Sequence, residues 1–370
     1  MQEYLASRVL LEASRDHGRT ADEFWPDKRW WARSGWEVVA EIAAESCEGD
    51  PAGQTALIAW LAQSNPAVAC DMWQHTGRPA LPETLSRQTS DHWLPRMTDP
   101  RAEPDPRARA SIGRALGRFG LDTRKGVGLR RGIPDIDWVT IPGDQPFIYQ
   151  YGERLTLPRF RIARYPITNR QYQAFINAGG YTQARWWHGL AWRIEAPAEP
   201  RWSEPNSPRE RVSWNEAMAF CAWITDRLGD EITLPTEHQW ERAARGLDGR
   251  EYPWGEDYRA GHANCDETAG REVKRHAAAY IGQTTAVGIY PQAKSPEGVL
   301  DLAGNVWEWC MNEIDSPERT QGSGNAARAL RGGSWINDPV RCRAANRDGA
   351  HPDDRHHDVG FRVCCGSLIE

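Results

Sequence analysis

Apolar positions along the chain follow two regimes. Over the first part they recur at helical spacing: Trp36, Val39, Ile42, Ala43 and Ser46 fall three and four residues apart on one face, and Thr55 to Ala62 repeats the pattern. This predicts an antiparallel helical, repeat-like region over 1–99. The stretch Thr98 to Arg107 (TDPRAEPDPR) concentrates proline and charge with no apolar period. Residues 100–127 therefore read as a linker followed by a short helix, Ala108 to Phe119. Beyond it, GVGLRRGIPDIDWVTIPG punctuates short β-prone runs with Gly and Pro, so a second domain is expected over 128–370.

Three helices interrupt that second pattern, and each announces its own start. Thr168 with Gln171, Ser213 with Glu216, and Thr236 with Gln239 are capping boxes, in which a hydroxyl and a side chain three residues on satisfy each other's exposed backbone N–H groups. Gly179, Gly229 and Gly246 are placed to stop these helices. The middle one should bury Ala217, Phe220, Cys221, Ile224 and Leu228 on one stripe. A few helices among short strands and many irregular connections predict an α+β domain.

Composition narrows the function. Among 370 residues, 45 basic and 51 acidic side chains leave a net charge of −6, which argues against a nucleic-acid partner. No apolar run approaches a membrane span, and the first residues, MQEYLASRVLLEASRDHGR, do not carry the basic start and apolar block of a signal peptide. A cytoplasmic protein without a membrane partner is expected. The eight cysteines, at 47, 70, 221, 265, 310, 342, 364 and 365, form no CxxC or metal-ligand spacing and read as buried thiols. The 19 Trp imply a core of large rings with hydrogen-bonded edges, or exposed aromatic anchors.

Five blocks occur in one order: YPITNRQYQAFI (165–176), VSWNEAMAFCAW (212–223), LPTEHQWERAARG (234–246), LDLAGNVWEWC (300–310) and LRGGSW…GFRV (330–363). Together they resemble the domain shared by formylglycine-generating enzymes and the sulfoxide synthases of ergothioneine synthesis, an elaborated C-type lectin fold. The resemblance implies a copper site made by paired cysteines after the GGS block in the first group; here that stretch offers Cys342 alone. In the second group it implies three ligands spaced H-x3-H-x-E in a helical domain, whereas His17, His75 and His92 stand apart. On this reading the chain is expected to be no enzyme and to hold neither copper nor iron. The GNVWEW block resembles a structural calcium loop, which would use Asp301 and Glu308 through carboxylates and Ala303, Gly304 and Val306 through carbonyls.

The framework RGGSW…P…CR.ANR….P..R…GFR resembles the variable region of diversity-generating retroelement proteins, where adenine-directed mutagenesis turns AAY codons into NNY. Such codons never encode Trp, Met, Lys, Glu or Gln. The thirteen positions between framework residues are Ile336, Asn337, Asp338, Val340, Arg341, Asp348, Gly349, Ala350, His351, Asp354, His356, His357 and Asp358, and all lie inside the permitted set. Gly332, Gly333, Pro339, Pro352, Arg343, Arg347 and Arg362 would hold the backbone. His351, His356 and His357 near Asp354 and Asp358 admit a zinc reading, but displayed side chains are the stronger expectation. The resemblance implies a ligand-binding display protein with its variable region over 336–358 and a macromolecular, protein-like ligand. The alternative is an oxygen-dependent formylglycine-generating or sulfoxide-synthase-like enzyme with a non-standard metal site. WWARSGWEVVAEIAAE and TALIAWLAQSNPAVACDMWQHTG resemble helical repeats of NACHT-type sensor proteins, which implies docking to a larger sensor or self-association. No GxxxxGK[ST] is present.

Overall fold

The structure, a computed structural model, describes residues 2–16, 18–25, 29–150, 152–269 and 279–366. His17 lies outside them. The chain divides into two units, Met1–Asp122 and Thr123–Glu370.

The first unit contains α1 (Gln2–Arg15), α2 (Trp36–Glu45), α3 (Pro51–Ser64), α4 (Pro66–His75), α5 (Glu83–Thr98) and α6 (Pro106–Phe119). Proline begins α3, α4 and α6, where a missing N–H costs nothing, and the preceding Asp50, Asn65 and Asp105 accept from Gly53, Val68 and Arg107 N–H. Leu10, Ala43, Leu61 and Val68 share one core with Ala115 and Phe119 of α6. That packing puts α6 inside the helical unit, whereas the chain pattern had grouped it with the linker. Trp93 is fully buried and donates its indole N–H to Ala62 O at 2.6 Å.

The second unit begins with β1 (Leu129–Arg130), β2 (Ile133–Pro134), β3 (Trp138–Ile141), β4 (Phe147–Tyr149), β5 (Glu153–Leu155) and β6 (Phe160–Ala163), then α7 (Asn169–Asn177), α8 (Trp214–Leu228), β7 (Ile232–Thr233) and α9 (Glu237–Arg245). It closes with β8 (Trp307–Glu313), β9 (Arg328–Arg331), β10 (Arg347–Ala350), β11 (Val359–Gly360) and β12 (Cys364–Cys365). All three capping boxes form, with both reciprocal hydrogen bonds present. Gly229 and Gly246 are the C-caps of α8 and α9, and Gly179 follows the C-cap of α7. Leu228 departs from the expected stripe: it is 39% exposed at the last turn of α8, while Ala217, Phe220, Cys221 and Ile224 are buried.

Two four-stranded sheets carry the unit, ordered β3-β6-β12-β7 and β10-β9-β8-β11. In the second, β8 pairs antiparallel with β9 and parallel with β11. The C-terminal segment thus leaves the sheet after β9, makes a short 3₁₀ turn (Pro339–Cys342), returns as β10 at the edge and re-enters as β11. Tyr172, Trp214, Phe220, Trp223, Trp309 and Phe361 build the main core. All eight cysteines are buried and free. Among the described residues, no helix is long and apolar enough to cross a membrane.

Candidate functional site

The C-terminal segment is held by buried ion pairs. Arg331 is fully buried, donating to Glu237 at 3.3 Å, to Glu241, and to Ala344 O at 2.9 Å. Arg347 grips Glu237 through two hydrogen bonds of 2.7 Å. Arg355 forks onto Glu216, the residue that also closes the capping box of α8. Arg343 does not share this role; it is exposed and lies 3.4 Å from Glu251. Gly332 and Gly333 both have positive φ, and a Cβ at Gly333 would sit 2.7 Å from Cys342 Sγ. Only glycine fits there.

Arg362 occupies the centre of the block read as a calcium loop. Its guanidinium makes two 2.6 Å bonds to the Glu308 carboxylate and donates to the carbonyls of Leu300 and Asp301. Trp240 Nε1 donates to the same carboxylate at 2.7 Å. Asp301 is directed elsewhere, accepting from Gly288 N–H at 2.6 Å, and burial lifts its pKa to about 6. Gly304 O accepts from Val306 N–H. The ligand set expected from Asp301, Ala303, Gly304, Val306 and Glu308 therefore does not fit a calcium ion, because Glu308 is spent on a guanidinium that already supplies the positive charge.

Around this frame, none of the thirteen positions is buried. Ile336, Val340, Arg341, Asp348, Gly349 and His356 are exposed, and Asn337, Asp338, Ala350, His351, Asp354, His357 and Asp358 are half-buried. The framework residues Gly332, Gly333, Ser334, Trp335, Pro339, Cys342, Ala344, Pro352 and Val359 to Val363 are buried. The half-buried group includes side chains that hold the backbone. Asn337 Oδ1 accepts from Ser334 N–H at 2.9 Å, the Ser334 hydroxyl lies 2.9 Å from Asp358, and Asp338 caps the 3₁₀ turn through Arg341 N–H. Asp354 accepts from His351 N–H at 3.0 Å.

The three histidines point to separate partners: His351 pairs with Asp353, His356 lies 3.8 Å from Asp354, and His357 packs against Trp202 and Trp335. No group of three or more metal-ligating side chains occurs among the described residues. The ring cluster at His357 was not foreseen. Trp202 meets Trp335 edge-on at 4.9 Å and Tyr280 stacks on Trp335 at 6.3 Å, so rings from distant segments border the displayed positions. Cys342 is not alone either. Cys265 shares one buried cluster with it, together with Ala263 and Ala303. Neither neighbour is signalled by local spacing.

Residues 143–366 match the family described as "Sulfatase-modifying factor enzyme 1-like domain". A formylglycine-generating enzyme of Thermomonospora curvata is 30% identical over 317 residues, 73% of this chain and 97% of that protein. A hercynine oxygenase of Mycobacterium tuberculosis is 34% identical over 242 residues, 56% of this chain and 52% of that protein, so the chain spans about half of it. Among solved structures, "Treponema denticola variable protein 1" aligns with a TM-score of 0.43 and 21% identity, over 62% of this chain and 94% of that one. The two relatives named as enzymes overturn the expectation that the chain is no enzyme. Missing ligands at positions where a family keeps them do not exclude activity.

Proposed function

Because the chain belongs to the family of sulfatase-modifying factor enzyme 1-like domains, we propose that its C-terminal unit turns that scaffold into a ligand-binding surface diversified by a retroelement. The observation that carries this reading is the separation just described: all thirteen positions lie outside the core, while Gly332, Gly333, Ser334, Trp335, Pro339, Cys342, Pro352 and Val359 to Val363 of the framework lie inside it. Side chains at such positions can change while the fold persists, and loops on a rigid frame are where recognition concentrates. The ligand is macromolecular and protein-like, met by Ile336 and Val340 as apolar anchors within a polar surround. The helical unit serves as a docking arm for a second copy or for a larger NACHT-type sensor, in a cytoplasmic setting. Sequencing the gene's neighbourhood tests the proposal. A reverse-transcriptase gene and a near-copy of the codons for 330–363, with adenines at the thirteen positions, are expected; a neighbourhood with neither contradicts it.

The near end-to-end match to a formylglycine-generating enzyme favours a second reading, an oxygen-dependent modifying activity whose metal site departs from the paired cysteines after the GGS block. Oxygen uptake on a cysteine-containing peptide after copper titration decides it, and turnover would establish that activity.

A further inference from the structure

Cys265 and Cys342 are far apart in sequence, and both are buried side chains of one small cluster with Ala263 and Ala303. Gly333 leaves room for the Cys342 thiol, since any side chain there would strike Cys342 Sγ. On the other side of Cys265, the Tyr258 hydroxyl lies 3.1 Å from Sγ and donates to Glu267 Oε1 at 2.7 Å. Glu267 is itself buried and anchored by Gly261 and Ala279 N–H, each at 2.7 Å. Burial raises its carboxyl above the ordinary range against the pull of those hydrogen bonds, which suits it to take up a proton. Thiol, hydroxyl and carboxylate therefore form a continuous chain ending at a base.

We propose that Cys265 and Cys342 are a reversible redox pair which peroxide converts to an internal disulfide. The Cys265 thiol passes its proton to the Tyr258 oxygen as Tyr258 passes its own to Glu267. The thiolate attacks one peroxide oxygen, the O–O bond breaks, and the departing hydroxide takes the proton from Glu267 and leaves as water. Cys342 sulfur then displaces the hydroxyl from the Cys265 sulfenic acid; the S–S bond forms, the S–O bond breaks, and the Cys342 proton leaves in a second water. Two thiols and one peroxide give one disulfide and two waters, with two electrons passing from sulfur to oxygen. The bond ties the segment at Cys265 to the 3₁₀ turn that carries Val340 and Arg341. Those segments already touch, because Asp266 N–H donates to Asn337 O at 2.8 Å. This inference stands on the shared buried cluster of the two cysteines and is independent of the display reading.

The test uses the full chain, treated with hydrogen peroxide, denatured, alkylated with N-ethylmaleimide and mapped by mass spectrometry. Expected are the loss of two hydrogens and of two alkylatable thiols, both in one cross-linked pair of peptides containing Cys265 and Cys342, and their return on reduction. Cys342→Ser should abolish the cross-link. Tyr258→Phe and Glu267→Gln, each checked to melt as the wild type does, should slow its formation by roughly a hundredfold, the lower end of general-base assistance. Full alkylation after peroxide, protection of the thiols without the loss of two hydrogens, or an unchanged rate in both relay variants would overturn the proposal.

Discussion

Two arginines of the C-terminal segment, Arg331 and Arg341, show how differently one residue type is used on either side of the GGSW turn. Arg331 is fully buried between Glu237 and Glu241, and removing either carboxylate would leave charge in a medium that cannot hydrate it. Arg341 is exposed and 3.6 Å from Asp348, an ion pair that water screens to little net effect. The same division runs through the segment. Arg362, Arg355 and Arg347 are charged struts under the loops, while Val340, Arg341, Asp348 and His356 rest on top of them. A loop-rich surface can vary when the struts beneath it are specific.

The largest effect that would sharpen this contrast is expected at Glu308. Glu308→Ala should destabilise the chain by about 3–5 kcal/mol, because Arg362 would be left buried and unpaired. Thermal or urea unfolding measures it, and added calcium should not rescue the loss. A mild effect, or a calcium-dependent melt in the wild type, would show that the centre of the frame has been misread.

A smaller effect follows from Asp301, whose pKa of about 6 stands above the usual carboxylate value because it is buried. The folded state binds this proton more tightly than the unfolded chain, so its contribution to stability falls as pH rises from about 4 to 6. At roughly 1.4 kcal/mol per pKa unit, the contribution lost is of the order of 3 kcal/mol. Asp301→Asn should lack this slope, and the difference between the two stability profiles isolates it. Parallel profiles for the two proteins would place no raised carboxyl at this position.

The half-buried positions should fall between frame and display. Asn337→Ala removes the acceptor for Ser334 N–H and should cost about 1 kcal/mol in an unfolding titration. A cost near zero would move Asn337 into the freely displayed group.

Much of this was legible in the chain because it is local. The capping boxes of α7, α8 and α9 need only residues three apart, and the interleaving of framework and variable positions is written in the spacing of RGGSW, CR.ANR and GFR. What could not be read is long-range. Carboxylates at 301 and 308 have the same spacing whether they face a calcium ion or the guanidinium of Arg362, which arrives from the segment between β11 and β12. Cys265 joins the cluster of Cys342, and Trp202 reaches Trp335, only once the chain has folded back. The absence of an expected metal-ligand pattern was weak ground for excluding activity, as the relatives named as enzymes make plain.

The most direct test of the division between frame and display is the melt of a single protein in which Ile336, Val340, Arg341, Asp348 and His356 are all replaced by serine. Each replacement should change stability by no more than about 0.5 kcal/mol, as at ordinary surface sites. The combined chain should unfold cooperatively with a loss below that of Glu308→Ala alone. A fivefold variant as damaged as Glu308→Ala, or one that fails to fold while its single variants do, would contradict the claim that this surface can change without touching the fold.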